Sequence, residues 1–89
     1  MVASEGLSAL ESRHNIAILL ALMDGPMTKS ELYRTVSTNP RMPEKLAVLK
    51  RAGLLTISRI DYRKDIVELT EKGMLVARKL SELDSIIRS

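Results

Sequence analysis

Apolar and polar residues follow a helical period over the first part of the chain. Apolar residues three or four positions apart predict a first helix that starts at Ser8 or Ser12 and ends near Met23. The tripeptide DGP at 24–26 follows. It ends the helix, because glycine suits a helix cap and proline cannot continue a helix.

The sequence TKSE begins a second and shorter helix. It is a capping box, in which the hydroxyl group of Thr28 bonds the first helical turn and the carboxylate of Glu31 reaches back to residue 28. Leu32 faces inward in this prediction, and the helix ends near Val36. The sequence STNP at 37–40 is then a turn.

A third helix starts between the prolines of the sequence PRMP at 40–43, since proline fits the first turn of a helix and is costly deeper inside. Met42, Leu46 and Leu49 then form one buried apolar stripe, and the dipeptide AG at 52–53 ends the helix. Two short helices joined by a tight turn form a helix-turn-helix. The second helix of this motif usually lies in the major groove of DNA.

The pattern changes to the period of a β-strand after the third helix. The runs Leu54–Ile60 and Asp65–Leu69 alternate apolar and polar residues, and they predict a hairpin whose loop is Asp61–Lys64. Thr70 can cap a last helix that runs to about Arg88. The predicted fold is mainly α with a small β-hairpin, in the order helix, helix, helix, strand, strand, helix.

Length and composition predict one small domain that spans residues 1–89. Apolar residues make up 45% of the chain and charged residues 28%, which is ordinary for a globular protein. The chain has no cysteine, which excludes disulfides, thiolate metal sites and cysteine nucleophiles and fits a reducing compartment. The longest apolar run, Ile16–Met23, is too short to span a membrane, and no secretory signal is visible. We therefore expect a cytoplasmic protein.

The sequence contains no arrangement of residues that predicts catalysis. It lacks a glycine-rich phosphate loop, and its acidic residues are scattered rather than paired. The single histidine, His14, has no carboxylate or serine partner at motif spacing. We therefore expect no enzyme activity, no cofactor and no metal site.

Positive charge is concentrated in the middle of the chain. Between Lys29 and Lys64 there are nine cationic and three acidic side chains, a net charge of +6, whereas the rest of the chain has five cations and eight acids, a net charge of −3. This distribution predicts one face suited to a polyanion. A randomly solvated surface is the alternative.

Three motifs between Ile16 and Leu80 resemble the winged helix-turn-helix domain of MarR-like and ArsR-like transcriptional regulators. ILLALMDGPMTKSEL is similar to the first helix, Gly-Pro turn and second-helix start of these families. KLAVLKRAGLL is similar to the end of their third helix and the first wing strand, and VELTEKG to the second wing strand and the Thr-capped helix after it. The resemblance implies binding to double-stranded DNA, with the helix at about 40–52 in the major groove and the wing at about 59–65 on the backbone or in the minor groove.

The chain departs from both families. Many ArsR-like members sense metals through cysteine and histidine clusters, which this chain lacks. MarR-like members usually carry extra helices that form the dimer and a ligand pocket, and here only the two terminal helices are available. Whether a small-molecule effector exists stays open.

Candidate DNA contacts follow from the resemblance. On the third helix, Arg41 and Lys45 can donate to guanine or phosphate, and Glu44 can accept from a cytosine amine. In the wing, arginine suits a narrow minor groove, and Tyr62 can donate to a phosphate. The alternatives are a solvated helix face and a solubilising hairpin tip. The predicted DNA-binding residues are Lys29, Ser30, Arg41, Glu44, Lys45, Arg59, Tyr62, Arg63 and Lys64.

The last helix, at about 71–88, has an apolar arc of about 140°, wider than packing within one small domain needs. Packing against the domain's own core can account for Leu75, Val76 and Leu80, but it does not account for the apolar residues nearer the end of the helix. We therefore expect a homodimer formed by the last and first helices. The predicted interface residues are Leu10, Val76, Leu80, Leu83, Ile86 and Ile87.

Two functions are compatible with these features. The first is a dimeric, sequence-specific DNA-binding transcriptional regulator. The alternative is a winged-helix module that binds another protein within a transcription complex, since winged helices serve in both roles. The basic middle of the chain favours the first function.

Overall fold

The computed structural model describes residues 7, 9–10, 13–36, 40–62 and 64–89. Its elements in chain order are α1 (Arg13–Ala21), a 3₁₀ turn (Leu22–Asp24), β1 (Met27–Thr28), α2 (Lys29–Val36), α3 (Met42–Arg51), β2 (Leu55–Asp61), β3 (Lys64–Leu69) and α4 (Glu71–Arg88). The predicted mainly α fold with a hairpin is confirmed. No described helix is long and apolar enough to cross a membrane.

The short strand β1 was not predicted. It pairs antiparallel with β3, Met27 opposite Val67 and Thr28 opposite Ile66, so the sheet has three strands in the order β1-β3-β2. Two residues are too few to show an alternating pattern, and the sequence alone assigned Thr28 only to the helix cap. Because of β1, the start of α2 lies beside the second strand of the hairpin.

The hairpin is tighter than the sequence predicted. The strands extend to Asp61 and Lys64, which pair with each other, so the prediction of a four-residue loop at Asp61–Lys64 is wrong. A β-bulge shifts the register between Arg59 and Asp61. The Oδ1 atom of Asp61 accepts a 2.6 Å hydrogen bond from the backbone N–H of Tyr62, a contact that suits a tight turn. Arg63 lies outside the described residues.

The predicted helix ends are largely confirmed. The backbone N–H of Thr28 donates to Oε1 of Glu31 at 3.2 Å, and the N–H of Glu31 donates to Oγ1 of Thr28 at 3.1 Å, which completes the capping box. The bond from the backbone N–H of Thr28 to its carboxylate is the main cause that lowers the pKa of Glu31. At the end of α1, the chain tightens into the 3₁₀ turn before Gly25, whose φ is 138°. The predicted first-helix starts and the turn residues 37–39 lie outside the described residues.

One aliphatic core joins all the larger elements, and the predicted stripe of α3 is part of it. A side of α1 packs against α2, α3 and α4, and the sheet closes the core. The side chains are aliphatic because the chain has no phenylalanine or tryptophan. The core residues are Ile18, Leu19, Leu22, Leu32, Met42, Leu46, Leu49, Leu54, Leu55, Val67 and Ala77.

Backbone atoms make the connection between the end of α3 and the start of α4. Thr70 caps α4 by accepting from the N–H of Gly73 at 2.9 Å, and its hydroxyl group donates to the carbonyl of Gly53 at 2.6 Å. The N–H of Thr70 donates to the carbonyl of Leu54 at 3.1 Å. Gly73 is buried against this carbonyl, and a Cβ atom there would overlap it. The sequences AGLL at 52–55 and LTEKG at 69–73 therefore contact each other in the folded domain.

Gly73→Ala should lower the free energy of unfolding by about 3 kcal/mol, because the added methyl group meets the Leu54 carbonyl group. This reverses the usual effect, since Gly→Ala inside a helix normally stabilises by about 1 kcal/mol. Urea unfolding followed by circular dichroism measures the change. The matched control is Gly53→Ala, which has room for the methyl group but a φ of 79°, and should cost only about 1 kcal/mol. Equal losses in both variants would contradict the role given to Gly73.

Candidate nucleic-acid interface

A cleft of about 240 Å³, lined by polar residues, lies between the first turn of α2 and the part of the wing next to its tip. The pairing of β1 with β3 places these two segments side by side. The cleft therefore brings together four of the predicted DNA contacts. Its lining residues are Thr28, Lys29, Ser30, Arg59, Lys64 and Asp65.

Asp65 holds two of the cations of this cleft. Its Oδ1 atom accepts from Nε of Arg59 at 2.9 Å, and its Oδ2 atom is 3.3 Å from Nζ of Lys29. The bonds from Arg59 and Lys29 hold the pKa of Asp65 below its ordinary value, and the bond to Asp65 raises the pKa of Arg59. Three cations, Lys29, Arg59 and Lys64, against one carboxylate leave the cleft with a net charge of +2.

Sequence reasoning missed Asp65. In the structure the cross-strand partner of Asp65 is Arg59. Opposite charges on facing residues of two neighbouring strands indicate such a pair. The facing residues can be identified only when the register of the strands is known. Ile60, at the bulge, is 62% exposed.

The predicted contacts at Arg41, Glu44 and Lys45 are not part of the cleft. Arg41 and Glu44 are exposed, and Lys45 is half-buried at the flank of the helix; none of the three lines the cleft. Ala47, on the side of α3 away from the buried stripe, is also exposed. Arg51 is exposed at the end of the helix.

The apolar residues of α4 divide into two groups. Val76 and Leu80, together with Leu10, are partly buried against the domain's own core. Towards the end of the helix, Leu83, Ile86 and Ile87 are exposed. Leu75 is also exposed, at 57%, so the expectation that the core accounts for it is wrong: the wheel position of Leu75 points away from buried Gly73 and Ala77.

No group of three or more histidine and acidic side chains among the described residues lies close enough together to hold a metal ion.

Several solved structures with the same fold are named as transcriptional regulators. The transcriptional repressor BigR from Xylella fastidiosa superposes with a TM-score of 0.79 at 22% identity, over 91% of this chain and 81% of its own. A protein named as the transcriptional regulator ytfH, from Salmonella typhimurium, gives 0.78 at 27% identity, over 92% and 77%. A protein named as a MarR-family transcriptional regulator from Porphyromonas gingivalis gives 0.83 at 14% identity, over 100% and 97%.

The sequence itself matches no family model and no curated protein. The fold is nevertheless defined by the order of its helices, by the hairpin after α3 and by the superpositions over nearly the whole chain. The chain is a winged helix-turn-helix domain of the type found in transcriptional regulators.

Proposed function

We propose that the chain is a sequence-specific, double-stranded DNA-binding transcriptional regulator. The observation that carries the proposal is the cationic cleft formed where α2 meets the wing, in a winged-helix fold. Lysine, arginine and serine side chains at a helix start are groups that bind the phosphate backbone. The cleft therefore suits a backbone phosphate beside the helix-turn-helix.

We propose that α3 reads bases in the major groove. Its buried stripe faces the core, whereas Glu44 and the N-cap residue Arg41 are exposed to solvent. Lys45 lies at the flank of the helix, where it can reach a base edge or the adjacent phosphate. Tyr62 and Lys64 at the wing tip, with Arg63, would contact the backbone or the minor groove.

We propose that two copies associate through the first and last helices. Ile87 is 80% exposed, and Leu83 and Ile86 on the same helix are also exposed. An apolar surface of this kind at the end of an 18-residue helix favours burial against a partner helix. A dimer would bind two half-sites about 10–10.5 bp apart, or a multiple of that.

Selection from random duplex DNA with the purified protein tests the function. We expect an enriched site with two-fold symmetry, because the proposed protein is a symmetric dimer. No enrichment, combined with weak binding to every duplex, would contradict the proposal and support the alternative of a protein-binding module. The same selection repeated with variants identifies the residues that read bases.

Lys45→Ala should change the selected site at one position in each half-site, with about tenfold less discrimination there, since a side chain that reads a base is lost. Lys50→Ala is the matched control: it removes the same charge from an exposed position late on the same helix. The control should weaken binding without changing the selected sequence. An unchanged site with Lys45→Ala would exclude base reading by this residue.

Lys64→Ala should weaken binding to duplexes of all sequences and reduce the slope of log K against log salt by about one unit, because one phosphate contact is lost. Fluorescence anisotropy at several salt concentrations measures both effects. Lys79→Ala is the matched control, because it removes the same charge from α4. There, Nζ of Lys79 lies 3.8 Å from Oε2 of Glu82. If both variants gave the same slope, only the net charge would matter and the wing would have no special role.

Leu83→Glu combined with Ile87→Glu should abolish dimers, because charged side chains replace the proposed apolar contact. Sedimentation should then give about one chain mass, 9.9 kDa, instead of twice that mass. The exposure of both residues means that the domain should still fold. Ser85→Glu on the opposite side of α4 is the control and should remain dimeric. A wild-type protein that sediments as a monomer would contradict the dimer.

A further inference from the structure

The carboxylate of Asp65 lies at the cleft where the predicted phosphate contacts meet. Each of its oxygens accepts from one cation: Oδ1 from Arg59 at 2.9 Å and Oδ2 from Lys29 at 3.3 Å. Two oxygens of a phosphate group bind a pair of cations in the same way. The free protein therefore carries an anion of its own where DNA would supply one.

We propose that Asp65 competes with a backbone phosphate of DNA for Lys29 and Arg59. Its carboxylate holds both cations in the free protein, and the phosphate replaces it when a duplex binds. The inference rests on the proposed function, since it takes double-stranded DNA as the ligand. It gives Asp65 the role of reducing the affinity for duplexes of every sequence.

The exposure of the three side chains supports this exchange. The Asp65 side chain is 17% exposed, whereas those of Lys29 and Arg59 are 36% and 68% exposed. The cations are thus more accessible to an incoming anion than the carboxylate that holds them. The bond to Asp65 uses Nε–H of Arg59, which is one of the five N–H donors of a guanidinium group. The Ser30 hydroxyl group also lines the cleft and can donate to an anion.

The alternative role for Asp65 is a brace that holds the wing on α2. The backbone pairs of Met27 with Val67 and of Thr28 with Ile66 already make that connection. Ion pairs at a protein surface add little to stability, so the brace would be redundant. A negative charge beside two cations has a direct effect on the binding of a polyanion, which favours competition.

Asp65→Asn tests the proposal. We expect it to bind duplexes of any sequence about threefold to tenfold more tightly and to steepen the slope of log K against log salt by about one unit, because the two cations become available to phosphate. The ratio of affinities for a preferred and an unrelated duplex should not change. Anisotropy titrations with both duplexes at several salt concentrations measure all three quantities.

Glu68→Gln is the matched control. Glu68 is an exposed carboxylate on the same strand, opposite Thr56 and outside the cleft, so its substitution gives the same change in net charge. It should alter affinity much less than Asp65→Asn. Equal effects of the two variants, or weaker binding by Asp65→Asn, would overturn the competition.

A measurement on the wild-type protein keeps the test independent of how the variant folds. The Nε–H resonance of Arg59 should move when a short duplex is added, because its acceptor changes from carboxylate to phosphate. A resonance that stays in place while the amides of α3 shift would overturn the exchange and leave the proposed function intact. A wild-type protein that binds no duplex would overturn the proposed function, and the competition with it.

Discussion

The contact between the end of α3 and the start of α4 fixes how these two helices are arranged in the domain. Gly73 packs directly against the carbonyl group of Leu54, and Thr70 bonds the same segment through its N–H and its hydroxyl group. Lys72 adds a 2.9 Å bond to the carbonyl of Ala52. These contacts are made largely by backbone atoms, which have little freedom to adjust. The direction of α3, the helix proposed to read bases, is therefore tied to that of α4, the helix proposed to join two copies.

A second junction, made by β1, places the wing. Two residue pairs with β3 attach the start of α2 to the hairpin, and the capping box of Thr28 and Glu31 begins the helix at the next residue. Lys29 and Arg59 come from different elements, and they reach one carboxylate because of this attachment. The charged groups of the cleft come partly from α2 and partly from the hairpin, and the pairing of β1 with β3 brings them together. Local structure and long-range pairing together build the site.

The sequence predicted the features that depend on residues close together in the chain. Periodicity and caps gave the helices, and the apolar stripe of α3 was found because it repeats within one element. The strand β1, the bulge and the pairing of Arg59 with Asp65 depend on register between distant residues, which one sequence does not reveal. Composition predicted a basic face, but not that an acidic side chain occupies part of it. The exposure of Leu75 followed from the close packing of Gly73, a contact that no periodicity encodes.

One side of α3 is constrained by packing in the core and the other side is not, and this difference has an evolutionary consequence. Met42, Leu46 and Leu49 are buried in the core, whereas Glu44 and Ala47 on the other side of the helix are exposed. Substitutions on that outer side leave the junction with α4 and the packing intact. Descendants of this protein can therefore acquire a new exposed surface on α3 without first losing their architecture.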